Sequence, residues 1–142
     1  MKEPKSTDQF FVLLLGIIFD PAKRKILVIK KEGDPELPKL TWGFPGTALH
    51  YKDDIGKILI KRLKEKTGYD VKNLGAIFTK AYPENEKLVA IYFLCEVIGG
   101  NLKPGPFYKE VKWADPEELE KLFTTSFHPR LKEYIMNLKP KK

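Results

Sequence analysis

The residues from 53 to 68 constrain the fold most, because their apolar side chains recur at intervals of three and four. This spacing places the apolar residues on one side of an α-helix. They are Ile55, Ile58, Leu59 and Leu63. Asp53 and Asp54 stand where a helix cap is expected, and Gly68 stands where a helix stops. The pattern predicts one amphipathic helix, from Asp53 or Asp54 to Thr67, that must bury its apolar side against other elements.

Most other apolar residues lie in short segments typical of β-strands. The predicted strands cover residues 10–19, 25–31, 74–81, 88–98 and 110–113, with a short extended segment at 41–44. Gly16 predicts a close backbone approach, and Pro45-Gly46 predicts a turn. Two more helices are expected, from 115 to 123 and from 129 to 138. The elements predict an α+β fold, a mixed α/β sandwich with helices on a sheet.

A chain of 142 residues has room for one domain, with residues 1–8 and 139–142 predicted to be flexible tails. Its single cysteine excludes an intramolecular disulfide framework. The longest apolar run, 10–19, is about half the length of a membrane-spanning helix. These features predict a soluble, cytoplasmic protein that does not act in a membrane.

The chain carries 26 Lys and Arg against 19 Asp and Glu, a formal charge of +7. This excess favours anionic partners, such as nucleotides, nucleic acid or membrane headgroups, without choosing among them. Abundant lysine together with glutamate is also typical of proteins from thermophiles. The charge is therefore consistent either with an anionic ligand or with the surface chemistry of a thermophilic protein.

Three segments of the chain form a further pattern. They are Trp-Gly-Phe-Pro-Gly at 42–46, Lys-Glu-Lys-Thr-Gly at 64–68, and the stretch at 110–119 that begins Glu-Val-Lys-Trp. In this order and at this spacing they resemble the Nudix superfamily. The resemblance extends over residues 10–125. It implies an α/β/α sandwich around a mixed central sheet, with nucleoside-diphosphate-linked compounds as the substrate class.

The signature of that family is G-x5-E-x7-R-E-U-x-E-E-x-G-U, in which glutamates on one helix hold divalent metal against a pyrophosphate. When its final glycine is set on Gly68, the three helical glutamate positions fall on Arg62, Glu65 and Lys66. The first glycine falls on Thr47, and the earlier glutamate falls on Asp53. Only one of three helical carboxylates is kept, so the resemblance is to a degenerate Nudix box.

Two cations on this face would repel a divalent ion, which predicts that Mg²⁺ binding is weak or absent. Glu65 is the one residue predicted to bind metal or act in catalysis. Lys and Arg bind phosphate directly, so the same face is predicted to bind the substrate. The alternative is a solvated basic face on which Lys61 pairs with Glu65. The residues predicted to bind substrate are Arg62, Lys66, Lys61, Gly46, Thr47, Tyr82, Tyr108 and Glu110.

The roles expected of four individual residues differ. Tyr82 stands beside Pro83, and Tyr108 stands among the turn residues Pro104, Gly105 and Pro106. Both are predicted to contact a nucleobase. Glu110 is either a polar anchor in the site or a structural carboxylate. Cys95, in the middle of an apolar strand, is predicted to be a buried hydrophobic residue.

Three functions follow. The first is a divergent Nudix domain that binds a nucleotide-type compound and hydrolyses it slowly or not at all, with Arg62 and Lys66 stabilising charge if any hydrolysis remains. The second is a non-catalytic module for a protein or nucleic acid. The third is an active pyrophosphohydrolase that uses carboxylates from loops, such as Glu84, Glu86 or Glu110. Proteins that resemble this chain are often dimers, so a homodimer is a further expectation.

Overall fold

The computed structural model describes residues 10–30, 42–50, 52–83, 85–103, 108 and 110–122. The elements in these residues are, in chain order, β1 Phe11–Asp20, β2 Lys25–Lys30, β3 Trp42–Gly43, β4 Gly46–Ala48, α1 Ile55–Thr67, β5 Tyr69–Tyr82, β6 Asn85–Gly100, β7 Glu110–Ala114 and α2 Pro116–Leu122. The two tails, Glu84 and the helix predicted over 129–138 lie outside the described residues.

All seven strands belong to one mixed sheet with the order β3-β2-β1-β6-β5, to which β4 adds on β1 and β7 adds on β2. The strands β1 and β6 are parallel, and the other pairs are antiparallel. This arrangement confirms the predicted mixed α+β architecture. No helix in the described part of the chain is long and apolar enough to cross a bilayer.

The two faces of the sheet have separate hydrophobic cores. Leu59 and Leu63 of α1 pack against β1 residues such as Leu14 on one face. Leu119 of α2 belongs to the cluster on the other face, with residues such as Ile17 of β1. A side chain at Gly16 would place its Cβ 2.8 Å from Leu63 Cδ1, which confirms the predicted close approach at this glycine. Helix α1 therefore sits directly against β1.

Helix α1 begins and ends where the sequence predicts. The Asp54 side chain caps it by accepting from the Lys57 N–H at 3.1 Å, and Gly68 ends it with φ of 87°. Asp53 has a different role, since its carboxylate accepts from the His50 N–H at 2.8 Å in the preceding turn. Asp54 therefore caps the helix, and Asp53 stabilises the turn that precedes it.

The observed strands differ from the predicted ones at two places. Gly46 does not simply turn the chain, because Gly46–Ala48 forms the strand β4 alongside β1. The strands β5 and β6 are longer than predicted, since they pair with each other along most of their length and so include polar residues such as Asp70 and Lys72. Pairing between strands extends both elements beyond their apolar centres.

Candidate functional site

The site lies where β1 and β2 separate. These strands pair with each other at Phe19 and Asp20 of β1, near the turn that joins them. Farther along, β2 pairs with β3 and β1 pairs with β4. The chain from 42 to 48 therefore passes from one strand to the other.

Glycine is required at position 46, where the backbone lies close to β1. A Cβ on Gly46 would stand 2.1 Å from the Leu14 carbonyl oxygen, so any larger residue would displace the backbone. This close approach accompanies the pairing of β4 with β1. It also fixes the direction in which the peptide groups of Gly46 point.

The N–H and C=O of Gly46 point away from β1. On either side of it, the Pro45 carbonyl accepts from the Gly16 N–H and the Leu49 N–H donates to the Val12 carbonyl, both at 2.8 Å. Since hydrogen bonding alternates along an antiparallel strand, the groups of Gly46 face the opposite edge.

The side chains at this edge come from distant parts of the chain. Lys66 Nζ donates to the Gly46 carbonyl oxygen at 2.7 Å. The Gly46 N–H donates to Tyr108 Oη at a longer 3.4 Å. We call Gly46, Lys66 and Tyr108 the Gly46 clamp, because they join β4 to α1 and to the segment before β7.

On the same helix face, Arg62 Nη1 lies 3.0 Å from Glu65 Oε2, and each side chain is 39% exposed. The one carboxylate kept from the signature is therefore paired with a cation from the same helix. The alternative pair, Lys61 with Glu65, is not formed among the described residues, and Lys61 is exposed. The face thus presents one ion pair and one partly buried lysine that is directed at β4.

The remaining lysines of α1 point elsewhere. Lys64 Nζ donates to the Gly68 carbonyl at 3.2 Å and to Asp70 Oδ2 at 3.1 Å. Lys57, like Lys61, is exposed. Of the helix lysines, Lys66 is the one that the structure brings to the β4 junction.

A divalent metal ion needs several oxygen ligands. The face of α1 that corresponds to the signature instead carries two cations and one carboxylate, which is already engaged by Arg62. In the described part of the chain, no three His, Cys, Asp or Glu side chains gather where they could hold a metal ion. This donor set does not fit a divalent metal cluster on α1.

Tyr108 keeps its proton at neutral pH. Burial raises the pKa of its phenol to about 12, and the hydrogen bond from Gly46 offsets part of this rise. The sequence predicts this tyrosine in the site as a nucleobase contact. The structure places its hydroxyl on the backbone of Gly46, a contact between residues 62 positions apart that no local pattern reveals.

Three predicted site residues do not take part in the clamp. Tyr82 is in the core, 6% exposed, with its hydroxyl 3.0 Å from that of Tyr92. Glu110 alternates along β7 with Val111 and Trp113, which pack on the α1 face, so it lies on the opposite face. Thr47 is buried in β4, and its hydroxyl donates to the Ala48 carbonyl at 3.3 Å.

Of the loop carboxylates of the third predicted function, Glu84 lies outside the described residues, and Glu86, like Glu110, lies away from the clamp. Glu86 is exposed at the start of β6. Farther along β6, Tyr92 pairs with Leu15 of β1, and Leu15 pairs with Gly46 on its other side, so Tyr92 marks the level of the clamp. The strand between residues 86 and 92 is about 20 Å long. Cys95 is buried as predicted, and burial raises the pKa of its thiol to about 12.

Known structures share this fold. A MutT protein from Methanosarcina mazei superposes with a TM-score of 0.71 at 14% identity, covering 92% of this chain and 93% of that one. An ADP-ribose pyrophosphatase from Streptococcus suis superposes with a TM-score of 0.66 at 18% identity, covering 89% and 90% of the two chains. At these identities the likeness concerns the fold.

The sequence comparisons identify the family. An ADP-ribose pyrophosphatase of Methanocaldococcus jannaschii is 31% identical over an alignment of 103 residues, which covers 69% of this chain and 59% of that protein. The match thus spans less than two thirds of that relative. The family profile described as the NUDIX domain matches residues 12–137, most of the chain. The chain belongs to the Nudix family.

Proposed function

We propose that this Nudix domain binds the diphosphate group of a nucleoside-diphosphate-linked compound beside α1 and β4, and that it hydrolyses the compound slowly or not at all. The observation that carries the proposal is the position of Lys66, whose ammonium group is held 2.7 Å from the Gly46 carbonyl rather than extending into solvent. A fixed cation at the junction of helix and strand is suited to an anionic ligand.

Positive side chains replace metal charge in this proposal. Lys and Arg bind phosphate oxygens directly, without an intervening ion. Arg62 stands one turn before Lys66 on the same face and would exchange its partner Glu65 for a phosphate oxygen. Both side chains of the Arg62–Glu65 pair are partly exposed, so that exchange costs little.

Weak hydrolysis follows from the state of the carboxylates. Hydrolysis of a pyrophosphate bond requires a group that activates water and stabilisation of the developing charge. Glu65 is the carboxylate on this face, and its Oε2 already accepts a hydrogen bond from Arg62. Glu86 and Glu110 lie too far away or on the other face to replace it.

The relative named for its action on ADP-ribose makes this compound the first ligand to test. The experiment is a calorimetric titration of the full chain with ADP-ribose, in EDTA and again with excess Mg²⁺, while products are followed by chromatography. We expect binding in EDTA with little added by Mg²⁺, and little product in either condition. Binding that requires Mg²⁺ together with rapid turnover would contradict the proposal and support the active hydrolase.

The predicted nucleic-acid partner and homodimer stay predictions, since no contact in the described residues bears on them. The same titration with a short RNA separates the first of them from nucleotide binding. Nucleic-acid binding by a basic surface falls steeply with salt concentration. A shared dependence of both ligands on Lys66 would place them at one site.

A further inference from the structure

The Gly46 clamp places two proton donors side by side. In an extended residue the N–H and the C=O point to the same side of the strand. Lys66 Nζ contacts the oxygen of Gly46 and Tyr108 Oη contacts its nitrogen. Because these two backbone atoms are a few ångströms apart, the ammonium and the phenol are neighbours at one edge of β4.

Each of the two groups is of a chemical type that can make several hydrogen bonds. A lysine ammonium carries three N–H donors, and the Gly46 carbonyl accepts from one of them. Tyr108 uses its oxygen as the acceptor for Gly46, and its own O–H donates to no atom among the described residues. The pKa of Tyr108, about 12, keeps that hydrogen in place at neutral pH.

We propose that Lys66 Nζ and Tyr108 Oη together bind one phosphate oxygen of the ligand directly, with no metal ion between protein and phosphate. The inference rests on the proposed function and names the two residues that hold the anion. A charged donor beside a neutral O–H donor satisfies one oxyanion at two of its lone pairs. Gly46 fixes the distance between them because both are tied to its backbone.

The same geometry favours a diphosphate over a single phosphate. Arg62 and Lys66 are four residues apart on α1, so their side chains start about 6 Å from each other on one face. A diphosphate offers oxygens on two phosphorus atoms and reaches both cations, whereas one phosphate reaches the clamp alone. The chemical class assigned to this subsite is therefore a diphosphate.

The test uses inorganic pyrophosphate as the probe, titrated in EDTA against the full chain and three variants. Y108F removes the hydroxyl alone, and K66M removes the ammonium while keeping most of the side-chain length. K57M is the matched control, since Lys57 is exposed and lies two and a half turns from Lys66, on the opposite side of α1. Unfolding curves for each variant establish that it is folded.

We expect Y108F to bind pyrophosphate about tenfold more weakly than the natural chain, and K66M at least tenfold more weakly, from the loss of a hydrogen bond to a charged group. K57M should stay within about twofold, the effect of one distant charge. Unchanged binding by Y108F would overturn the inference even if K66M failed to fold. Pyrophosphate binding that requires Mg²⁺ would overturn it as well.

The failure of this inference differs from the failure of the proposed function. If the natural chain binds ADP-ribose in EDTA and Y108F and K66M bind it equally well, the diphosphate is held elsewhere and the clamp is structural. If the natural chain binds neither ADP-ribose nor pyrophosphate under any condition, the proposed function itself is wrong. K66R, which keeps the charge, is expected to retain more binding than K66M.

Discussion

Two lysines in the last turn of α1 make the same kind of hydrogen bond in different contexts. Lys64 donates to the Gly68 carbonyl, four residues later, and to Asp70, with both charged side chains about half exposed. Lys66 donates to the Gly46 carbonyl, 20 residues earlier, in a partly buried position. One lysine caps its own helix end, and the other joins the helix to the sheet. Sequence position alone therefore does not assign a cation to a site.

The largest effect is expected on metal affinity, when Arg62 and Lys66 on the site face of α1 are replaced by glutamate. R62E/K66E changes the face around Glu65 from one net positive to three negative charges and restores three carboxylates at helical spacing. Mn²⁺ affinity should rise about hundredfold or more, because repulsion becomes attraction and oxygen ligands appear together. Calorimetric titration with Mn²⁺ measures this gain.

The control variant has the same change in net charge, but at positions outside the face of α1 that holds Glu65. K57E/K72E alters two exposed lysines, one on the other side of α1 and one on β5. Its Mn²⁺ affinity should change only by the general effect of charge, a few-fold at low salt. Equal gains in the two variants would show that the arrangement on α1 does not determine metal binding.

A smaller effect is expected on the pH dependence of stability. It comes from Tyr108, which belongs to the Gly46 clamp with Lys66 and has no counterpart beside Lys64. The pKa of Tyr108 is raised from 10.0 to about 12, so the folded state holds the proton more tightly than the unfolded state. This contribution is present below pH 10 and is lost as the pH rises toward about 12. Its size is about 3 kcal/mol, because each pKa unit corresponds to about 1.4 kcal/mol.

Urea unfolding measured across this alkaline range checks the assignment. Stability of the natural chain should fall steeply, since the pKa of the Cys95 thiol, raised from 9.0 to about 12, adds a loss of the same sign. Y108F should fall less steeply, by the share that belongs to Tyr108. Parallel curves for the two proteins would mean that the phenol is not held as the structure has it.

The parts of the fold that depend on neighbours in sequence are predictable from it. Asp54 and Gly68 mark the ends of α1. At the start of α2, the helix predicted from residue 115, Glu118 Oε1 accepts from the Asp115 N–H at 3.1 Å. These contacts join residues three or four positions apart, so the residue types that form them can be recognised in a short stretch of sequence. The same holds for the burial of Cys95 in an apolar run.

The parts that depend on distant residues are not predictable in this way. Pro45-Gly46 has the composition of a turn, and only its pairing with β1 makes Gly46 part of a strand. Tyr82 is a second example. Its position beside Pro83 predicts a loop residue, whereas in the structure it pairs with Asn85 of β6 and is buried. For the site, the family resemblance indicates Lys66 and Gly46 as separate candidates. Their contact with each other emerges only from the fold.

The smallest expected effect concerns stability and compares the two lysines directly. K64M removes a surface ion pair and a bond at the helix end, which together contribute a few tenths of a kcal/mol because both charges are half exposed. K66M removes a partly buried bond between elements and leaves the Gly46 carbonyl without this donor, at a cost of about 1 kcal/mol. Chemical unfolding at neutral pH measures both values.

Comparing the losses of unfolding free energy in K64M and K66M shows what kind of contact Lys66 makes. A larger loss for K66M shows that its ammonium joins α1 to β4 in the protein without ligand, so that the cation is in place before a phosphate arrives. Pyrophosphate should then stabilise the natural chain and K64M alike by mass action, and K66M much less. If K66M is as stable as K64M and is stabilised equally by pyrophosphate, Lys66 is a surface lysine like Lys64, and the distinction between the two disappears.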